Sequence, residues 1–99
     1  MKTDELAGST LDYWVARAEG VEPTVDQQLK FCPSSSWTDA GPIIERERIM
    51  ICWETDHWIA GAAEFANSRK GRIVKGPTAL VAAMRAYVMS RFGETVEGQ

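Results

Sequence analysis

Ile49-Met50-Ile51-Cys52-Trp53-Glu54-Thr55-Asp56-His57-Trp58-Ile59-Ala60-Gly61-Ala62 is the stretch on which the fold turns. Ile49, Ile51 and Trp53 alternate with Met50 and Cys52, a β-rich run that is apolar on both faces and therefore reads as an interior strand. Glu54-Thr55-Asp56-His57 supplies a polar turn, after which Trp58 to Ala62 returns as an antiparallel partner. Trp53 and Trp58 bracket that turn, where a cross-strand aromatic pair stabilises a sheet.

C-terminal to this hairpin, Phe65 to Gly76 reads as a loop, with Asn67, Ser68, Gly71 and Gly76 among four basic residues. The strongest helix of the chain follows. Leu80, Ala83, Met84, Tyr87, Val88 and Arg91 share one face between the helix-start pattern Gly76-Pro77-Thr78 and the helix stop Gly93. This helix is expected at the centre of the domain, and Glu94 to Gln99 is expected to fray as a tail. N-terminal to the hairpin, Ile43 and Ile44 read as the beginning of an extended segment, with Glu45-Arg46-Glu47-Arg48 as a solvated, self-neutralising connection or edge. From Val21 to Pro42 the punctuation of Pro23, Pro33, Gly41, Pro42 and Ser34-Ser35-Ser36 predicts loop, with a brief strand within Val25 to Phe31. Leu11, Trp14, Val15 and Ala18 fall at i, i+3, i+4 and i+7, which predicts an amphipathic helix over Ser9 to Glu19. Ser9 and Asp12 approximate a capping box, Gly20 is placed to end the helix, and Thr3-Asp4-Glu5-Leu6 can form a short extra turn before it. The expected architecture is α+β: a small antiparallel sheet with two amphipathic helices packed on it, in one domain over residues 1–93.

Composition agrees with one ordinary globular core: 99 residues, 44% hydrophobic and 25% charged. A formal net charge of -3 argues against whole-molecule attraction to nucleic acid, which needs a concentrated positive field. Met1-Lys2-Thr3-Asp4-Glu5 lacks the apolar stretch of a signal peptide, and Arg85 interrupts the most apolar run, Ala79 to Met89. A soluble cytoplasmic protein is expected, with no membrane contact and with Cys32 and Cys52 as buried thiols rather than a disulfide.

His57 is the one histidine, and two cysteines give no spacing that supplies a zinc site, so neither a metal nor a cofactor is expected. A nucleophilic Cys32 or Cys52 with His57 and Asp56 or Asp39 is conceivable chemistry, but packing cysteines and a turn histidine explain the same residues more simply. Ser34-Ser35-Ser36 lacks the GxSxG context of a nucleophile elbow. No catalytic set is assigned, and a non-enzymatic protein is expected.

Two features point to binding instead. Trp37 lies in a polar segment without periodic apolar partners, so it either plugs the core or faces a ligand. Arg69, Lys70, Arg72 and Lys75 stand just before the helix start at Thr78, where free N–H groups and basic side chains favour an anion. These six residues are the candidate ligand or partner site, and Trp37 is expected on the same side of the domain as the basic loop.

Leu11-Asp12-Tyr13-Trp14-Val15-Ala16, Cys32-Pro33-Ser34 with Trp37, Gly41-Pro42-Ile43-Ile44-Glu45, and Gly76-Pro77-Thr78-Ala79-Leu80-Val81-Ala82-Ala83-Met84-Arg85, in this order, resemble the phage NinX-like family over Met1 to Gly93. The resemblance implies provenance in temperate phages and bacterial prophages, and it carries no catalytic residue. In the family pattern an aspartate often precedes the tryptophan and a proline often follows the threonine, positions held here by Ser36 and Ala79. The expectation is an accessory protein that binds a host or phage macromolecule, the alternative being a nucleotide or other phosphorylated small ligand. The sequence leaves monomer and homodimer equally open.

Overall fold

Helix α1 forms where the apolar spacing requires it. In a computed structural model describing residues 2–20, 31–61, 73–93 and 95–96, it spans Gly8–Ala18 and buries Leu11, Trp14 and Val15. Its start differs from the expected capping box. The N-cap is Ala7, without a side-chain bond, Ser9 lies within the first turn, and the Asp12 carboxylate is turned to another partner. Gly20, at φ +78°, ends the helix as read, in a conformation that costs glycine nothing. The extra turn upstream is a 3-10 turn, Thr3–Glu5, tied to the other end of the chain by the Thr3 hydroxyl, which donates to the Gly93 carbonyl at 2.7 Å.

A second helix, α2, spans Trp37–Glu47, where loop and extended chain were expected. Gly41-Pro42 misleads because those residues usually break helices. Ala40, Ile43 and Ile44 nevertheless keep a helical spacing, and burial of that stripe prevails: Ala40 and Ile43 are buried and Ile44 half-buried, while Pro42 points to solvent. The helix ends with Arg48 in the left-handed region (φ 55°), the Ile49 N–H donating to the Ile44 carbonyl at 3.0 Å and Ile49 entering the core. Glu45 to Arg48 is therefore a helix terminus and not a strand edge.

The hairpin is present. Strand β1 (Met50–Glu54) pairs antiparallel with β2 (His57–Gly61), with Trp53 opposite Trp58 and their rings edge-to-face at 5.3 Å. A third strand, β3 (Val74–Gly76), continues the sheet antiparallel to β2 in the order β1-β2-β3, replacing the end of the expected loop. Among the described strands the apolar run 49–53 is therefore an edge strand, not an interior one, and β2 takes the central place.

Helix α3, Ala79–Phe92, is the centre of the fold as read. It packs on all three strands, on α1, on α2 and on the N-terminal turn. Leu80 to Met84 and Ala86 to Met89 are buried, so the helix is enclosed nearly all round. The Thr78 hydroxyl caps it, accepting the Val81 N–H at 3.1 Å, and Gly93 ends it. Gly76 makes this packing feasible: a Cβ there would lie 2.5 Å from the Ala82 nitrogen. Past Gly93 the expected tail is anchored at two points, since Thr95 bridges Lys2 and Val96 is buried. The described residues thus form an α+β domain of three helices and a three-stranded antiparallel sheet. The strand expected within Val25 to Phe31 lies outside them except for Phe31.

Candidate functional site

The segment before α2 is held by two carboxylates from different helices. Asp12 of α1 accepts the Ser34 N–H at 2.9 Å, and Asp39 of α2 accepts the Cys32 N–H at 2.8 Å. Between them Pro33 is fully buried, Ser34 is buried, and the Ser35 N–H closes a turn onto the Cys32 carbonyl at 3.0 Å. Burial pushes the Asp12 carboxyl above the usual carboxylate range and nearby Asp39 adds to this, against the opposing pull of its hydrogen bonds from Ser34. Trp37 emerges from this latched turn as the first residue of α2, with 58% of its surface exposed. The core-plug reading of Trp37 is overturned: the apolar side of its helix is supplied by Ala40, Ile43 and Ile44.

Lys75 is exposed on β3 and lines a groove of ≈ 750 Å³ together with Lys2, Asp4, Glu5, Ile73, Val74, Arg85, Met89 and Thr95. Much of the polar capacity of this groove is already committed. Arg85 donates from Nε to the Leu6 carbonyl at 2.7 Å and from Nη1 to the Lys75 carbonyl at 2.8 Å, joining the N-terminal turn and β3 to α3. Burial lowers the Arg85 pKa, while Asp4 and Glu5 oppose that shift. The Thr78 hydroxyl is committed to its helix cap. Trp37 is not among the residues lining the groove. Arg69, Lys70 and Arg72 lie outside the described residues, so of the six candidates the structure places Trp37, Lys75 and Thr78.

The cysteines are not joined to one another, and Cys52 is exposed instead of buried, with its Sγ 3.5 Å from the Trp53 carbonyl. Cys32 is half-buried beside the Asp39 latch. His57 Nδ1 lies 2.6 Å from Asp56 in the hairpin turn, and that contact lowers the Asp56 pKa. Among the described residues, no cluster of three His, Cys, Asp or Glu side chains is arranged to hold a metal ion, and no helix is long and apolar enough to cross a membrane.

Residue reasoning missed the polar interior. Besides Asp12 and Asp39, it missed a network in which the buried Tyr87 hydroxyl donates to Glu19, and Arg46 grips Glu19 through both its Nη atoms at 3.1 and 2.5 Å. Arg46 and Arg91 lie over the Tyr87 ring at 5.8 and 5.4 Å, and both bond Glu47. The Glu45 to Arg48 run is therefore partly self-neutralising, as Arg46–Glu47, and partly a tie to two other helices. Asp12 was detectable as a carboxylate beside Leu11 on the apolar side of α1, but its partner 22 residues away was not.

The two departures from the family pattern now have physical places. Ser36 is the N-cap of α2 and Ala79 the first residue of α3, positions where aspartate and proline respectively favour a helix start. The Ser36 side chain makes no cap bond, and the cap of α3 is supplied by Thr78. No curated protein matches the chain. The family model described as bacteriophage P22, NinX matches residues 2–91, so this chain belongs to that phage protein family.

Proposed function

We propose that this phage-family protein is a non-enzymatic accessory protein that binds a host or phage macromolecule inside the bacterial cell through the surface carrying Trp37. The observation that supports this reading is the 58% exposure of Trp37 at the mouth of a helix whose approach is fixed by Asp12 and Asp39. A large aromatic left in water forgoes burial at home and gains it on docking, which is the character of an interface anchor.

A second reading, a phosphorylated small ligand, is favoured by one observation: the Lys75-lined groove, whose wall also carries Lys2 and Arg85. Asp4 and Glu5 on the same wall weigh against an anion there, which places this reading second. One experiment separates the two. Immobilised protein is used to capture partners from lysate of an induced lysogen, with Trp37→Ala in parallel. A specific macromolecule recovered by the wild type and lost with Trp37→Ala is the expected result. Because Trp37 is exposed, its unfolding midpoint should move by no more than about 0.5 kcal/mol equivalent. Recovery independent of Trp37, combined with a nucleotide-induced rise in melting temperature that Lys75→Ala abolishes, would replace the first reading by the second.

A further inference from the structure

We propose that β1 is a self-association edge: two copies of this chain pair antiparallel along Met50–Glu54, with Cys52 on the two-fold axis, and join their sheets into one. Among the described strands β1 is the outer one, and four of its five residues are exposed, including Met50 at 42% and Trp53 at 54%. Met50-Ile51-Cys52-Trp53 contains no proline and no charge, and its register with β2 runs without a bulge.

The register follows from the hairpin. Glu54 and His57 pair across a two-residue turn, so they are a hydrogen-bonded pair, and the bonding positions on the β2 side are Met50, Cys52 and Glu54. The N–H and C=O groups of Ile51 and Trp53 consequently point to the open edge. Full overlap of two five-residue strands places the axis at their midpoint, Cys52, and sets Ile51 of each copy opposite Trp53 of the other. Those are the residues with outward backbone groups, so donors meet acceptors on both sides of the axis. A shift by one residue in either strand would break this match. The side chains agree with the backbone. Each exposed Trp53 ring gains an Ile51 neighbour on the face it shares with Trp58, and the exposed Arg48 end of one edge meets the Asp56 turn of the other, opposite charges at both ends. The contact is isologous and closes as a dimer.

Cys52 pairs with its own copy at a non-hydrogen-bonded position, where facing Cα atoms lie about 4.5 Å apart, within the span of a disulfide. That supplies a trap. Diamide, which takes up two electrons and two protons as two thiols join, should convert the wild type to a covalent dimer whose linking peptide maps to Cys52 on both sides. Without oxidant, wild type and Cys52→Ser should both sediment as dimers. Cys52→Lys, which sets like charges face to face at an exposed position, should sediment as a monomer with unchanged circular dichroism. A wild type that is monomeric at millimolar concentration overturns the proposal, as does a dimer that Cys52→Lys leaves intact. A wild-type dimer that diamide does not join through Cys52 also overturns it, and this arm needs no variant to fold.

Discussion

At the scale of single residues, Asp12 shows how one side chain serves structure at an electrostatic cost. Its carboxylate satisfies the buried Ser34 N–H, and the same burial disfavours its charge. Asp12→Ala should leave that N–H without a partner and cost about 1–3 kcal/mol, whereas Asp12→Asn keeps an acceptor oxygen and should cost much less. The pH dependence has a definite sign. A carboxyl whose folded pKa is raised stays protonated longer in the folded state, so its favourable contribution is complete below the unfolded value near 3.8 and is lost as pH rises through the folded one. The stability of the wild type relative to Asp12→Asn should therefore fall as pH rises across that window. Denaturant titrations of both proteins from pH 3 to 7 measure this, and a difference that does not vary with pH would contradict the burial of Asp12.

At the scale of elements, helix boundaries are where this chain departs from its family's pattern. Ala79 is the first residue of α3, Thr78 before it is extended at φ -130° and ψ 161°, and the first turn needs no N–H from position 79. All three conditions suit proline. Ala79→Pro should stabilise the protein by about 0.4–1 kcal/mol, chiefly by restricting the unfolded chain, and the thermal midpoint should rise by several degrees. A lowered midpoint would mean that the start of α3 is misassigned. The same element logic explains α2, whose Pro42 removes one N–H and whose Arg48 occupies a left-handed position, both tolerated because Ile43 beside the proline and Ile49 just past the helix end are buried.

At the scale of the whole molecule, Tyr87 ties three helices: its hydroxyl on α3 donates to Glu19 at the end of α1, and Arg46 of α2 bonds both. Burial and the Glu19 partner push the Tyr87 pKa up to about 12. Glu19 moves the other way, because its hydrogen bonds from Arg46 and Tyr87 and the charges of Arg46 and Arg91 outweigh its own burial. For Tyr87 the stabilising contribution is present below its unfolded value near 10 and is lost as pH rises through about 12. For Glu19 it is present above 4.5 and lost as pH falls through the lowered folded value. Tyr87→Phe should cost about 1.5–3 kcal/mol at neutral pH, as expected for a hydrogen bond to a charged group, and should flatten the alkaline limb of the stability profile. Thermal melts between pH 7 and 12 would show this, and an alkaline limb unchanged in the variant would remove Tyr87 from that role.

What the sequence by itself determined is what short-range pattern encodes. The amphipathic stripe of α1, the Trp53–Trp58 hairpin, the Thr78 cap and the enclosed helix between Thr78 and Gly93 all rest on spacings of a few residues, and each is present. The phage family was also legible, because residue order along the chain carries it. Tertiary structure alone decided the rest. Helix α2 forms through Gly41-Pro42 because burial of Ala40 and Ile43 outweighs local propensity, and β2, not β1, is central among the described strands because β3 takes its other side. Likewise, the exposure of Trp37 depends on which side of its helix meets α3 and on latches reaching it from Asp12, 22 residues before Ser34, and from Asp39. Pairings over such separations are set by the packing of whole elements, whose energy is summed over many contacts and has no local signature in the chain.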